Sequence, residues 1–116
     1  MRAYVEPLPH THSCLLTLCT SEAGRYSLAE ALRRVLRSSH RSVWVDCRHV
    51  AALPSEALLL LRHCAGRLWH HGGHLVLCHL PDAARAVLFI DVSQPLAASL
   101  LDAQQYGLDC PGGTPA

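Results

Sequence analysis

Residues 42–78 read SVWVDCRHVAALPSEALLLLRHCAGRLWHHGGHLVLC, and the pattern of this stretch decides the fold. Ser42–Cys47 is short, β-branched and aromatic, which predicts a buried strand ending at Asp46. Leu53-Pro54-Ser55-Glu56 then carries the signals of a helix start. Proline suits the first helical position or its edge, serine is a good cap, and glutamate favours the positive end of the helix dipole. Beyond it Leu58, Leu61, Ala65 and Leu68 recur at helical spacing to about His70. Leu59 and Leu60 widen that apolar face, so the helix is covered on more than one side or presents leucine to a partner. Gly72-Gly73 ends it, and His74–Leu80 (HLVLCHL) is another apolar strand.

Working outward, the strongest local signal upstream is Ser27-Leu28-Ala29-Glu30, a capping box in which serine and glutamate each satisfy an orphan amide of the first turn. Leu28, Ala31, Leu32, Val35 and Leu36 follow on one helical face, with Arg33, Arg34 and Arg37 mostly opposite, so an amphipathic helix is expected to about Ser38. Before it, His12–Thr20 predicts a strand, Tyr4–Leu8 a proline-bounded edge strand, and Ser21–Arg25 a turn around Gly24. Downstream, Pro81-Asp82 opens a third helix with Ala84, Val87 and Leu88 on one face. Leu96–Leu101 reads as a short final strand leading to a helical turn near Gln104. The order of strands and helices implies an α/β fold: a single domain over residues 1–107, with a mostly parallel sheet of four to five strands covered by three to four helices. Residues 108–116, rich in proline and glycine, read as a frayed tail.

Composition narrows the function. A chain of 116 residues suits one domain, and a hydrophobic fraction of 50% excludes a disordered chain. A net charge of +1 excludes a strongly basic nucleic-acid binder, which would need a Lys/Arg cluster to neutralise phosphates. The apolar run Cys14–Cys19 is too short to span a bilayer, and no charged segment followed by a long apolar one opens the chain. A soluble cytoplasmic domain without direct membrane insertion is the expectation. All ten basic residues are arginine, which reads as codon bias. Most of the six cysteines sit in apolar runs and are expected to be reduced, behaving as small hydrophobes.

Sites of chemistry are sparse. Cys47, His49, His63, Cys64, His70, His71, His74, Cys78 and His79 are candidate metal ligands by residue type, yet Gly72-Gly73 interrupts the spacing of His70 and His74. No C-x-x-C or H-E-x-x-H occurs. Neither a G-x-S-x-G elbow nor a glycine-rich phosphate loop is present, so no enzymatic activity, cofactor or metal is expected. Ser55 stands out instead. A phosphate at the start of its helix would meet free amides and the helix dipole, and would put roughly two negative charges on an exposed corner. Without modification Ser55 is a helix cap.

From Ser42 to about Leu101 the chain resembles a STAS domain, the fold of the anti-anti-sigma factors that antagonise bacterial anti-sigma factors. The stretches that carry the resemblance are VWVDCRHV, ALPSEALLLLRHCAGRLWHHGGHLVLC and PDAARAVLFIDV. Asp46 matches the aspartate that ends a strand of the family, and Gly73 the glycine that precedes the next. The family's Asp-Ser-Ser/Thr-Gly-Leu motif at the start of its second helix aligns with Pro54-Ser55-Glu56-Ala57-Leu58, which puts its phosphorylated serine on Ser55. Here proline stands for the aspartate, Glu56 for the second hydroxyl residue and Ala57 for the glycine. Proline stiffens the loop, and Glu56 adds a charge beside any phosphate.

The resemblance implies a non-catalytic partner-switching protein, an anti-sigma factor antagonist in signal transduction. It would bind a histidine-kinase-like ATPase, anti-sigma factor and serine kinase in one, through Pro54, Ser55, Glu56, Leu58 and Leu59. Phosphorylation of Ser55 would break that complex, and ATP would belong to the partner. The alternative implied by the same family is the STAS subunit of a lipid-transporting ABC system, whose second helix packs on the ATPase subunit without phosphorylation.

Overall fold

The computed structural model describes residues 1–8, 12–20, 26–38, 42–82 and 100–102. Strand β1 (Arg2–Pro7) runs antiparallel to β2 (Ser13–Cys19), with Arg2 opposite Cys19 and Pro7 opposite Cys14. The two-residue β3 (Tyr26–Ser27) pairs antiparallel with Arg2 and Ala3. Helix α1 (Leu28–Arg37) then leads to β4 (Ser42–Asp46), and helix α2 (Ser55–His70) to β5 (His74–Cys78). β6 (Leu100–Asp102) closes the sheet, whose order is β3-β1-β2-β4-β5-β6.

The pairs β2–β4, β4–β5 and β5–β6 are parallel, while β1 pairs antiparallel with both its neighbours. The sheet is therefore mixed, not mostly parallel as expected from the alternation of strands and helices. The reason is loop length. Only residues 8–12 separate β1 from β2, and Leu8 N–H donates to the Ser13 carbonyl at 3.0 Å. A parallel pair needs a crossover of a dozen or more residues, so this connection permits only a hairpin. The sheet has six strands against the four to five expected, because the two-residue β3 adds an edge, and two helices are present among the described residues, fewer than the three to four expected. The third expected helix, opened by Pro81-Asp82 with Ala84, Val87 and Leu88, continues into residues outside the described ones, as does the boundary between 107 and 108, while the expected strand Leu96–Leu101 is met by β6 at its end.

Each helix forms where its local chemistry dictates. Ser27 caps α1, its Oγ accepting from Glu30 N–H at 3.3 Å. The reciprocal half of the capping box is absent, because the Glu30 carboxylate turns to Arg33 (3.5 Å) and Arg34 (3.4 Å). Leu28, Ala31, Leu32 and Val35 of α1 and Ala57, Leu58, Leu61, Cys64, Ala65 and Leu68 of α2 are buried. They pack on the face of the sheet that carries Leu16, Leu18, Val43, Val45, Leu75 and Leu77. By the two-residue period of a strand, Trp44, Val76 and Cys78 point to the opposite face, where they form a smaller cluster. α2 ends with Gly72 at φ +78, a left-handed turn residue whose place glycine takes without steric cost.

Candidate functional site

Because β2, β4 and β5 run parallel, their C-terminal ends lie along one edge of the sheet, and the chain leaving β4 there turns into α2. The turn is built on Asp46. Its Oδ1 accepts from Arg48 N–H at 3.0 Å and its Oδ2 pairs with Arg48 Nε at 3.1 Å. Arg48 Nη2 lies 3.0 Å from Nε2 of His79, just beyond β5. Cys47 N–H donates to the Cys78 carbonyl at 2.9 Å, which extends the β4–β5 ladder by one bond. His79 adopts a left-handed conformation, φ +53, uncommon for a residue with a Cβ. The Asp46 carboxylate is largely buried and both its oxygens are used, which accounts for its tolerance inside the fold. Asp46 thus serves to shape the loop that delivers α2. Aspartate at the end of a strand is the residue type that closes such an Asx turn, accepting from the amide two residues on.

α2 begins one residue earlier than a cap at Ser55 requires. Pro54 occupies the cap position with extended backbone (φ −62, ψ 156), offers no side-chain hydrogen bond, and accepts from Leu58 N–H at 3.0 Å. Ser55 is therefore the first helical residue and not the cap, a correction to the expectation. Its hydroxyl and the Glu56 carboxylate are exposed at the positive end of the helix dipole. The uncapped first turn leaves the amides of Ser55, Glu56 and Ala57 without intrahelical partners.

Of the residues expected to meet a partner, Pro54, Ser55, Glu56 and Leu59 form an exposed group. Leu59 is 62% exposed, with half-buried Leu60 beside it. Leu58, at 6%, instead packs into the core, so that Leu59 alone presents a large apolar side chain one turn from Ser55.

Among the described residues the free cysteines are buried or half-buried. Cys14, Cys19, Cys47 and Cys64 are free thiols, as expected, but Cys78 is disulfide-bonded, with a partner outside the described residues. Burial pushes the Cys14 thiol up to about 11 and the Cys64 thiol up to about 12, the latter also raised by Cys14 nearby. Such thiols stay protonated at neutral pH and are poor nucleophiles. Among the described residues no three His, Cys, Asp or Glu side chains gather as metal ligands would. No helix among them is long and apolar enough to cross a membrane.

No protein-family model and no curated protein matches the chain. Among solved structures it is similar to the protein TM1081, determined by NMR, with a TM-score of 0.63. The two chains are 12% identical, and the superposition covers 89% of this chain and 82% of that one. At that identity the likeness establishes the fold alone.

Proposed function

We propose that this protein is a non-catalytic partner-switching module of the anti-anti-sigma factor kind, acting in transcription regulation. Its partner is a histidine-kinase-like ATPase that serves as anti-sigma factor and serine kinase, and phosphorylation at Ser55 breaks the complex. One observation carries the reading: Ser55 is an exposed hydroxyl on the first turn of α2, at the sheet edge, with a protruding leucine, Leu59, one turn away. A kinase can reach such a hydroxyl. Unmodified, the corner offers a docking partner a small apolar patch; modified, it carries roughly two negative charges where a close-packed surface has to fit.

A second reading is favoured by Pro54 and Glu56. A rigid cap and a fixed carboxylate beside Ser55 suit a permanent contact better than a phosphorylated one. On this reading the domain is the subunit of a lipid-transporting ABC system and α2 packs on the ATPase subunit.

Affinity purification from the native host, with wild type, Ser55→Ala and Ser55→Asp compared by mass spectrometry, separates the two. The switch predicts that wild type and Ser55→Ala retrieve a kinase-like ATPase, that Ser55→Asp loses it, and that a phosphopeptide covers Ser55. Retrieval of one transporter ATPase by all three, with Ser55 never modified, supports the subunit reading and refutes the switch.

A further inference from the structure

The outer surfaces of α1 and α2 meet in a furrow of about 440 Å³. Leu36 and Leu60, both half-buried, line it above the core residues Leu32 and Cys64. Its rim is cationic, with Arg33 and Arg37 on α1 and Arg67 on α2; His63 lines it as well. Arg33 is engaged by Glu30, but Arg37 and Arg67 have no ion pair or hydrogen bond among the described residues. Both lie in the last turns of their helices, where the negative ends of the dipoles stabilise the cations and offset only part of their full unit charge. A chain of net charge +1 has thus gathered unpaired positive charge on one amphipathic furrow.

Toward the N-terminal ends of the helices the furrow continues into a second hollow of about 220 Å³, with Ala29 and Leu60 lining both. There the rim changes character: Pro54 and Glu56 replace the arginines. The whole is a polarised channel, neutral to acidic beside Ser55 and basic at the far end. Between Ala29 and Arg37 the larger hollow is about 12 Å long, two turns of helix, and its α1 cations occupy the second of the two.

We propose that this furrow docks an amphipathic α-helix of a partner protein whose polar edge is acidic, with its apolar face on Leu36 and Leu60 and its carboxylates on Arg37 and Arg67. The arrangement of charge selects this occupant. A fatty acid or phospholipid needs a closed pocket to bury its chain, whereas this furrow is open to solvent along its length. Here Arg33 and Arg37 are one helical turn apart and Arg67 lies across from them, which matches carboxylates repeating at i and i+4 along a helix. The proposal deepens the reading of α2 as a docking element and rests on it.

The test is selection from a displayed library of helical peptides with randomised polar positions, against the full chain. The expected result is enrichment of Glu and Asp at i, i+4 spacing beside apolar anchors, with amide NMR shifts of a selected peptide's complex mapping to residues 29–37 and 60–67. Arg37→Glu with Arg67→Glu, on a chain whose circular dichroism is unchanged, weakens that peptide by at least about tenfold and removes most of its salt dependence. Selection of neutral or basic helices, shifts mapping elsewhere, unchanged affinity in the double variant, or no enrichment overturns the proposal. Ser55→Asp leaves peptide affinity within about twofold, since it lies at the other end of the channel. Failure of the furrow is therefore visible while Ser55-dependent capture of the ATPase stands, and the converse holds as well.

Discussion

If Ser55 occupies the first turn of an uncapped helix, charge placed there must change stability with a definite sign. The amides of that turn have no side-chain partner, because Pro54 provides none. A carboxylate at position 55 therefore meets the positive end of the α2 dipole, a contribution of about 0.3–1 kcal/mol at an exposed site in low salt. Glu56 next door offsets part of it, leaving about 0.5 kcal/mol in favour of Ser55→Asp. Ser55→Lys loses about as much, and Ser55→Asn falls between. Unfolding entropy near 2.1 cal/mol/K per residue over 116 residues amounts to about 0.24 kcal/mol/K, so Asp and Lys variants should differ in Tm by about 4 °C. Thermal unfolding by circular dichroism at about 10 mM and 1 M salt reads this directly. The gap should shrink sharply in high salt, where the Debye length falls to about 3 Å. Equal Tm values for Asp and Lys at low salt, or a loss above about 2 kcal/mol in all three variants, would refute the placement of Ser55. The outcome bears on function as well. A Ser55→Asp chain that is slightly stabilised and yet fails to bind its partner has lost the contact at the surface, not the fold.

Three further outcomes follow from the same geometry. Leu61→Ala, at a fully buried position, should cost about 2–5 kcal/mol in urea unfolding while Leu59→Ala changes stability by less than about 0.5; the reverse order would mean that α2 presents a different face to the sheet. The raised thiols make the fold sensitive to alkali: below pH 9 both states hold the protons, and from there to about pH 12 the unfolded chain releases protons that folded Cys14 and Cys64 retain, so stability falls as pH rises. Urea midpoints between pH 8 and 10.5 should decline less steeply for Cys64→Ala than for wild type, and an identical slope would contradict the burial of that thiol. Asp46→Ala, which removes both acceptors for Arg48, should cost about 1–3 kcal/mol and speed amide exchange over residues 47–53. Asp46→Asn keeps the acceptor for the Arg48 amide and should cost less, and equal effects would assign the loop's order to the ion pair alone.

Local chemistry sufficed for much of this protein. The Ser27–Glu30 cap and the spacing of Leu28, Ala31, Leu32 and Val35 set α1 where the fold has it, and the apolar runs around Val43–Val45 and Leu75–Leu77 became its two central parallel strands. These are effects of neighbours within one turn or one strand, which a sequence displays directly. The start of α2 was legible to within a residue: Pro54 and Ser55 were both marked, but which of them caps depends on where the chain arrives from the loop held by Asp46 and Arg48. The antiparallel β1 was implicit in a connection of a few residues, and β3 is too short to leave a periodic signal. Other features exist only in three dimensions. Arg48 reaches His79, 31 positions away, because β4 and β5 lie side by side. Leu58 is buried and Leu59 exposed because α2 settles on the sheet in one rotation out of several that a run of four leucines permits. Arg37 and Arg67 face one furrow because both helices cover the same side of the sheet. Periodicity tells which side of an element is apolar; only packing decides which elements meet, and the candidate site is made where they do.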